Sequence, residues 1–339
     1  MKQSMKKLMA ILLAMTLMIS LIGCESNQSN DSKKVVYVTA GALGDNGFSD
    51  STARGLDKIK KDFGAETRII ENNNDSALFS QSLEAAFAWN PDVVFADAYG
   101  FEELYAQYAD KHPDVDIINL DFIIDNKNIT NVTYINEEGA YLAGVLAAKI
   151  SQSNLDKVKN KNKVGFVGGD NIPVIRSFYY GFEQGVKSVD PNIEIVQNYV
   201  GDFFDAVKGK QVANQVYSQG VDIIFQAAGA SGSGVLESAK ENEKYVIGVD
   251  SNQNGIYPGY VVSSVVKDLE NSVYEIYKSI DKGEFKKGEH IEKGAGIGGV
   301  YLVIDDFSKE ILDENIINYI EDISKKVENK EIKVERYKD

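Results

Sequence analysis

The sequence predicts an α/β fold of two lobes, each a Rossmann-like parallel β-sheet flanked by helices, joined by a hinge. Three observations carry this. From residue 34 onward, short apolar runs alternate with stretches of helical period, the pattern of parallel sheets covered by helices. The runs fall into two sets of five, which suggests two similar lobes. No long linker separates the sets, so the chain crosses between lobes in short segments that form a cleft and a hinge.

The first set of strands is expected at 35–40, 67–71, 93–96, 116–122 and 132–135, and the second at 164–167, 193–200, 222–227, 245–249 and 260–266. Between the first two, Ala53, Leu56, Ile59 and Phe63 recur at helical steps and give one apolar face, with Ser49 as the expected N-cap. Helices of the same kind fit 76–89, 139–150, 176–187, 209–218, 235–241 and 268–281. The lobes are then residues 34–136 plus about 265–288, and residues 137–264 plus about 289–339.

The N-terminal segment is read separately. Lys2, Lys6 and Lys7 precede an apolar run at 8–23 that ends at Cys24, followed by a polar stretch. Residues 1–23 read as a signal peptide, too short in their apolar part for a membrane span. Leu21-Ile22-Gly23-Cys24 resembles the bacterial lipobox, in which the cysteine is diacylated. The expectation is a chain anchored by lipid on Cys24 to the extracytoplasmic face of the cell membrane, with residues 24–33 as a tether.

Composition excludes several functions. With 36 Lys+Arg against 51 Asp+Glu, the charge of −15 disfavours nucleic acid, which needs a basic face. One cysteine excludes a disulfide framework, and two histidines, His112 and His290, provide poorly for zinc or Ser/His chemistry. The glycines at 229, 232 and 234 do not form a dinucleotide fingerprint, no serine sits in a nucleophile elbow, and Gly209-Lys210 lacks the rest of a P-loop. No cofactor or metal is expected, and binding is favoured over catalysis.

Ligands of open α/β sheets bind beyond the carboxyl ends of the strands. Those ends carry Asp45, Asn46 and Phe48 after the first strand, Asp97 with Tyr99 and Phe101 after the third, and Asp121 after the fourth. In the second half they carry Phe203 and Phe204, Asp250 and Lys267. Any one of these reads equally as a turn residue or a solvated charge. The repetition of carboxylate and aromatic at strand ends is what marks a site.

The chain resembles the basic membrane protein family of bacterial lipoproteins, nucleoside receptors of ABC importers with a type I periplasmic-binding fold. The blocks that carry the resemblance are NVTYINEEGAYLAG at 131–144, GFVGG at 165–169, IPVIR at 172–176, GDFFD at 201–205 leading to KGK at 208–210, AAG at 227–229 and VIGVD at 246–250. The resemblance implies a substrate-binding protein that captures a purine nucleoside between the lobes and hands it to a membrane permease, as a monomer. Asp45 and Asn46 match the family's polar pair, Phe48 and Phe203 the aromatics on either face of the base, and Asp121 an acid looking toward the base. Asp250 and Lys267 match the pair near the ribose. The chain departs from the family pattern at Gly47, where Lys-Ser is usual, and at Asp97-Ala98-Tyr99, where a glycine-rich turn is usual. A sugar or signalling-molecule receptor on the same fold is the alternative within this class, and an extracytoplasmic nucleoside-processing enzyme the alternative outside it.

Overall fold

The computed structural model describes residues 32–338; the expected signal peptide, Cys24 and most of the tether lie outside them. In chain order the first half comprises β1 (Lys34–Thr39), α1 (Phe48–Phe63), β2 (Glu66–Glu71), α2 (Phe79–Ala88), β3 (Val93–Asp97), α3 (Glu102–Lys111), β4 (Asp116–Leu120) and β5 (Ile129–Tyr134). The second comprises α4 (Asn136–Gln152), β6 (Lys163–Gly168), α5 (Pro173–Val189), β7 (Glu194–Tyr199), α6 (Ala206–Ser218), β8 (Ile223–Ala227), α7 (Gly232–Glu241), β9 (Tyr245–Asp250) and β10 (Val261–Lys267). The chain ends with α8 (Leu269–Asp281), β11 (His290–Lys293), β12 (Val300–Leu302), α9 (Asp306–Ile311) and α10 (Glu314–Glu328).

The strands form two six-stranded sheets of matching order, β11-β5-β4-β3-β1-β2 and β12-β10-β9-β8-β6-β7. Strand n of the first five corresponds to strand n+5 of the second, and every pairing is parallel except β10 with β12. The central strands are covered on both faces, which is why β1, β3, β8 and β9 are apolar nearly throughout. Edge strands β2 and β7 carry exposed residues instead. In each sheet the connections reverse direction between neighbours, at β1/β3 and at β6/β8, and this is where ligand crevices open in such sheets.

Two features depart from the sequence reading. β11 pairs with β5 in the first sheet, whereas everything beyond about 289 was expected in the second lobe. Its four residues hold one apolar side chain, Ile291, so no apolar run betrays it. Ser49 lies inside α1 and does not cap it; the cap position is Gly47, and the capping carboxylate is that of Asp45. The helices α3 and α9 were not expected; α10 is the C-terminal helix, whose lobe the sequence left open.

The crossing from β5 into α4 leads to a closely packed helix pair. Helices α4 and α5 meet through glycines: a Cβ on Gly144 would fall 2.1 Å from the Phe182 carbonyl oxygen, and one on Gly185 2.0 Å from that of Tyr141. Because those neighbours are backbone atoms, a side chain there forces the helices apart, and overpacking of this kind costs typically 1–3 kcal/mol. Gly185→Val is expected to lower the urea unfolding midpoint by about that free energy. An unchanged midpoint would show that the helices are not held at this face.

Candidate functional site

The carboxyl ends of both sheets enclose a cavity of about 380 Å³. From the first sheet it is lined by Ala40, Asp45, Phe48 and Ser49 around β1, Asp97 and Tyr99 at β3, and Asp121 with Phe122 at β4. From the second come Ile172 to Ile175 and Phe178 at the start of α5, Phe203 and Phe204 beyond β7, Ala227 and Gly229 at β8, Asp250 at β9 and Lys267 at β10. The two sheets are in contact around it. Phe204 packs on Gly41, where a Cβ would meet its ring at 2.3 Å, and Tyr99 meets Phe203 edge-on with centroids 5.6 Å apart.

Lys267 is 2% exposed at the end of β10. Its ammonium donates to Asp121 Oδ1 at 2.6 Å and stands 3.8 Å from Asp250 Oδ1. It also lies over the rings of Phe178, Phe48 and Tyr134 at 5.2, 5.4 and 5.5 Å. Such a buried cation is tolerated only with anionic or ring partners. Burial pushes the Asp250 carboxyl up to about 6; the Lys267 cation pulls it down and Asp121 and Asp45 push it further up.

Asp121 and Asp250 both adopt left-handed backbone, at φ 85° and 66°, a region that Asp tolerates better than most residues. They occupy matching places, directly after β4 and at the end of β9. The turn after Asp250 is fixed by buried Gln253, whose Oε1 accepts from the Val249 amide and from Gln226 Nε2.

Asp45 lines the cavity but spends its carboxylate on helix α1. Oδ1 accepts from the amides of Gly47 and Asp50, and Oδ2 from that of Ser49. Burial still pushes its pKa up against those donors. Asn46 is exposed, at φ 50°, and is the one sequence-predicted ligand residue among the described residues that does not line the cavity. Its carbonyl accepts from Ser251 Oγ and Gln253 Nε2, so its contribution is a bond between the lobes.

The remaining predicted residues, Phe48, Asp121, Phe203, Asp250 and Lys267, all converge on the cavity. Asp121, expected to look toward a base, lines the cavity and is the nearest carboxylate to Lys267. Asp97 was noticed at its strand end without a role. It lines the cavity, with Oδ1 accepting from the Ala40 amide and Oδ2 from the Thr39 hydroxyl, both at 3.1 Å, and burial pushes it up to about 8. Ser49 and the apolar residues 172–175 were missed. Their readable signal is an apolar quartet opening a helix at a strand end. Among the described residues, no cluster of three or more His, Cys, Asp or Glu side chains is arranged to hold a metal ion.

A cavity between the carboxyl ends of two matched parallel sheets, lined by rings, acids and one cation, defines a two-lobed solute-binding protein. A family profile described as ABC transporter substrate-binding protein, PnrA-like, matches residues 32–338. Basic membrane protein D of Borreliella burgdorferi is 32% identical over 323 residues, covering 93% of this chain and 92% of that one. A Lactococcus lactis protein named ABC transporter nucleoside-binding protein BmpA is 29% identical, covering 86% and 90%. Among solved structures, an ABC transporter solute-binding protein from Aeropyrum pernix superposes with a TM-score of 0.81 at 22% identity, covering 91% and 94%, a likeness of fold. The chain belongs to the PnrA-like family of ABC transporter substrate-binding proteins, whose role implies a captured solute and a permease partner.

Removing the buried cation tests the electrostatics. Lys267→Met leaves Asp121 and Asp250 without their partner, which costs about 3–5 kcal/mol for a broken buried pair. Asp250 already titrates above its ordinary 3.8, so its protonated form stabilises the fold below that value, and this contribution is lost as pH rises through about 6. Without the lysine the shift grows. The deficit in urea stability relative to wild type is therefore expected to shrink as pH falls from about 8 to about 5. A deficit independent of pH would mean that Lys267 contributes packing alone.

Proposed function

We propose that the protein captures purine nucleosides in this cavity and delivers them to an ABC permease for import. The observation that carries the reading is the pairing of Phe48 and Phe203, one from each lobe, on a single cavity that also holds the Lys267, Asp121 and Asp250 cluster. Two rings that reach one cavity from different lobes suit a flat base, and stacking contributes about 1–3 kcal/mol per base. A carboxylate beside a cation suits vicinal hydroxyls, since hydrogen bonds to charged groups contribute roughly 1.5–3 kcal/mol. In this assignment Asp250 accepts from the ribose and Lys267 orients it. Five cavity carboxyls, those of Asp45, Asp97, Glu102, Asp121 and Asp250, against one ammonium disfavour a phosphate, so nucleosides are taken in preference to nucleotides. The name of the Lactococcus lactis relative supports the same reading.

The protein acts in this reading as a monomer held at the outer face of the cell membrane by acyl chains on Cys24, with residues 24–33 as tether. Two or more chains anchor stably where one is marginal. Fractionation after a high-salt wash is the check: Cys24→Ala moves to the soluble fraction, and a mutant that stays in the membrane pellet contradicts the anchor.

Titration calorimetry with guanosine, inosine and adenosine tests the binding function. Phe48→Ala and Phe203→Ala are each expected to weaken binding by about 1–3 kcal/mol. Wild-type affinity in either variant assigns that ring to packing, and no heat with any nucleoside in the wild type removes the proposal.

A further inference from the structure

We propose that Asp97 determines which base is taken: its carboxylate accepts the N1–H and 2-amino donors on the edge of a 6-oxopurine held between Phe48 and Phe203. The inference rests on the nucleoside reading above and adds the base class to it.

Asp97 lines the same cavity as both rings, and short chains of contacts lead from it toward each of them. Its Oδ2 accepts from Thr39 Oγ1 at 3.1 Å, and that hydroxyl lies 3.2 Å from Ser49 Oγ, the residue beside Phe48. On the other side Tyr99, two residues beyond Asp97, packs edge-on against Phe203. A base held by Phe48 and Phe203 would thus have the Asp97 carboxyl in the same cavity lining to meet its edge. The hydroxyl-binding cluster is a different group, since Lys267 pairs with Asp121 and Asp250. Of the polar pair after the first strand, Asp45 spends its carboxylate on the amides that open α1, and Asn46 does not line the cavity.

The chemistry of the edge follows from the donors present. Asp97 receives one amide and one hydroxyl, and no cation pairs with it among the described residues, which is why burial lifts it so far. A half-buried carboxyl short of donors favours a ligand that brings them. Guanine offers two N–H groups side by side to a carboxylate, a bidentate pair of the strong charged kind. Hypoxanthine offers one. Adenine turns the lone pair of N1 toward the carboxylate and offers only its 6-amino group. The expected order in the wild type is guanosine, then inosine, then adenosine.

Asp97→Asn supplies the test by calorimetry with those three nucleosides. The amide keeps an acceptor for the Ala40 N–H, and it donates to adenine N1 as well as it meets guanine. Guanosine is expected to lose roughly 10- to 100-fold in affinity, the equivalent of one or two charged hydrogen bonds, while adenosine is retained or gains. The guanosine-to-adenosine ratio thus falls at least about tenfold. A residue that merely fixes the Ala40 turn would weaken all three ligands alike and leave the ratio unchanged, and that result overturns the inference, as does wild-type protein that binds adenosine as tightly as guanosine. If no nucleoside binds to the wild type, the nucleoside reading itself falls, a distinct outcome. Should Asp97→Asn fold poorly, Asp97→Ala is measured in its place, with the calorimetric stoichiometry giving the active fraction; it too is expected to lose the preference for guanosine.

Discussion

One buried ammonium group organises the cavity. Lys267 stands at the last position of β10, immediately before the chain crosses to α8, which packs on α1 of the first lobe. Taking an ammonium out of water costs several kcal/mol, and the cost is offset only where anionic partners are close. Its partners come from both sheets, Asp121 from β4 and Asp250 from β9, so the charge is fully compensated only when the lobes are together. The left-handed backbone at both aspartates is part of the same requirement. It turns each carboxyl off the end of its strand and over the cavity, held by the Asp121 amide on the Val132 carbonyl and by Gln253 beneath Val249.

The two sheets share an order but divide the chemistry. Registers give the equivalence: Thr39 pairs with Asp97 at the end of β1 and β3, and Gly168 with Ala227 at the end of β6 and β8. A hydroxyl and a carboxyl in one lobe thus face a glycine and an alanine in the other. Gly168 has a physical reason, because a Cβ there would fall 2.7 Å from Ile175 and Tyr199; one on Gly169, one residue past β6, would fall 2.3 Å from the Phe203 ring. The first lobe supplies hydrogen-bonding groups, and the second supplies a surface for an aromatic ring.

Most of the architecture was legible because parallel strands buried on both faces read as apolar runs, and all ten that were expected exist. The elements that escaped lack that signature. β11 and β12 are four and three residues long at sheet edges, and α3 buries only Tyr105 and Ala109. In α10 the stripe Ile316, Ile320 and Val327 was there to be read. At the site, position beyond a strand sufficed to find Phe48, Phe203, Asp121, Asp250 and Lys267, but the same residue types serve a ligand and a turn equally well. Only the amide donors on Asp45 and the exposure of Asn46 separate the two uses.

That separation bears on how the lobes close. Asp45 gathers three amides at the start of α1, and Asp50 accepts from the amides of Gly44 and Asn46, so the whole turn from 44 to 50 is pinned to the first lobe. The turn so fixed aims the Asn46 carbonyl at Ser251 and Gln253 of the second lobe. Gln253 is the residue that also braces the strand carrying Asp250. Asp250 is therefore linked, through one side chain, to a hydrogen bond that joins the two lobes. Differential contact is what a ligand needs in order to shift a two-state equilibrium, because a solute bound equally in open and closed forms would favour neither.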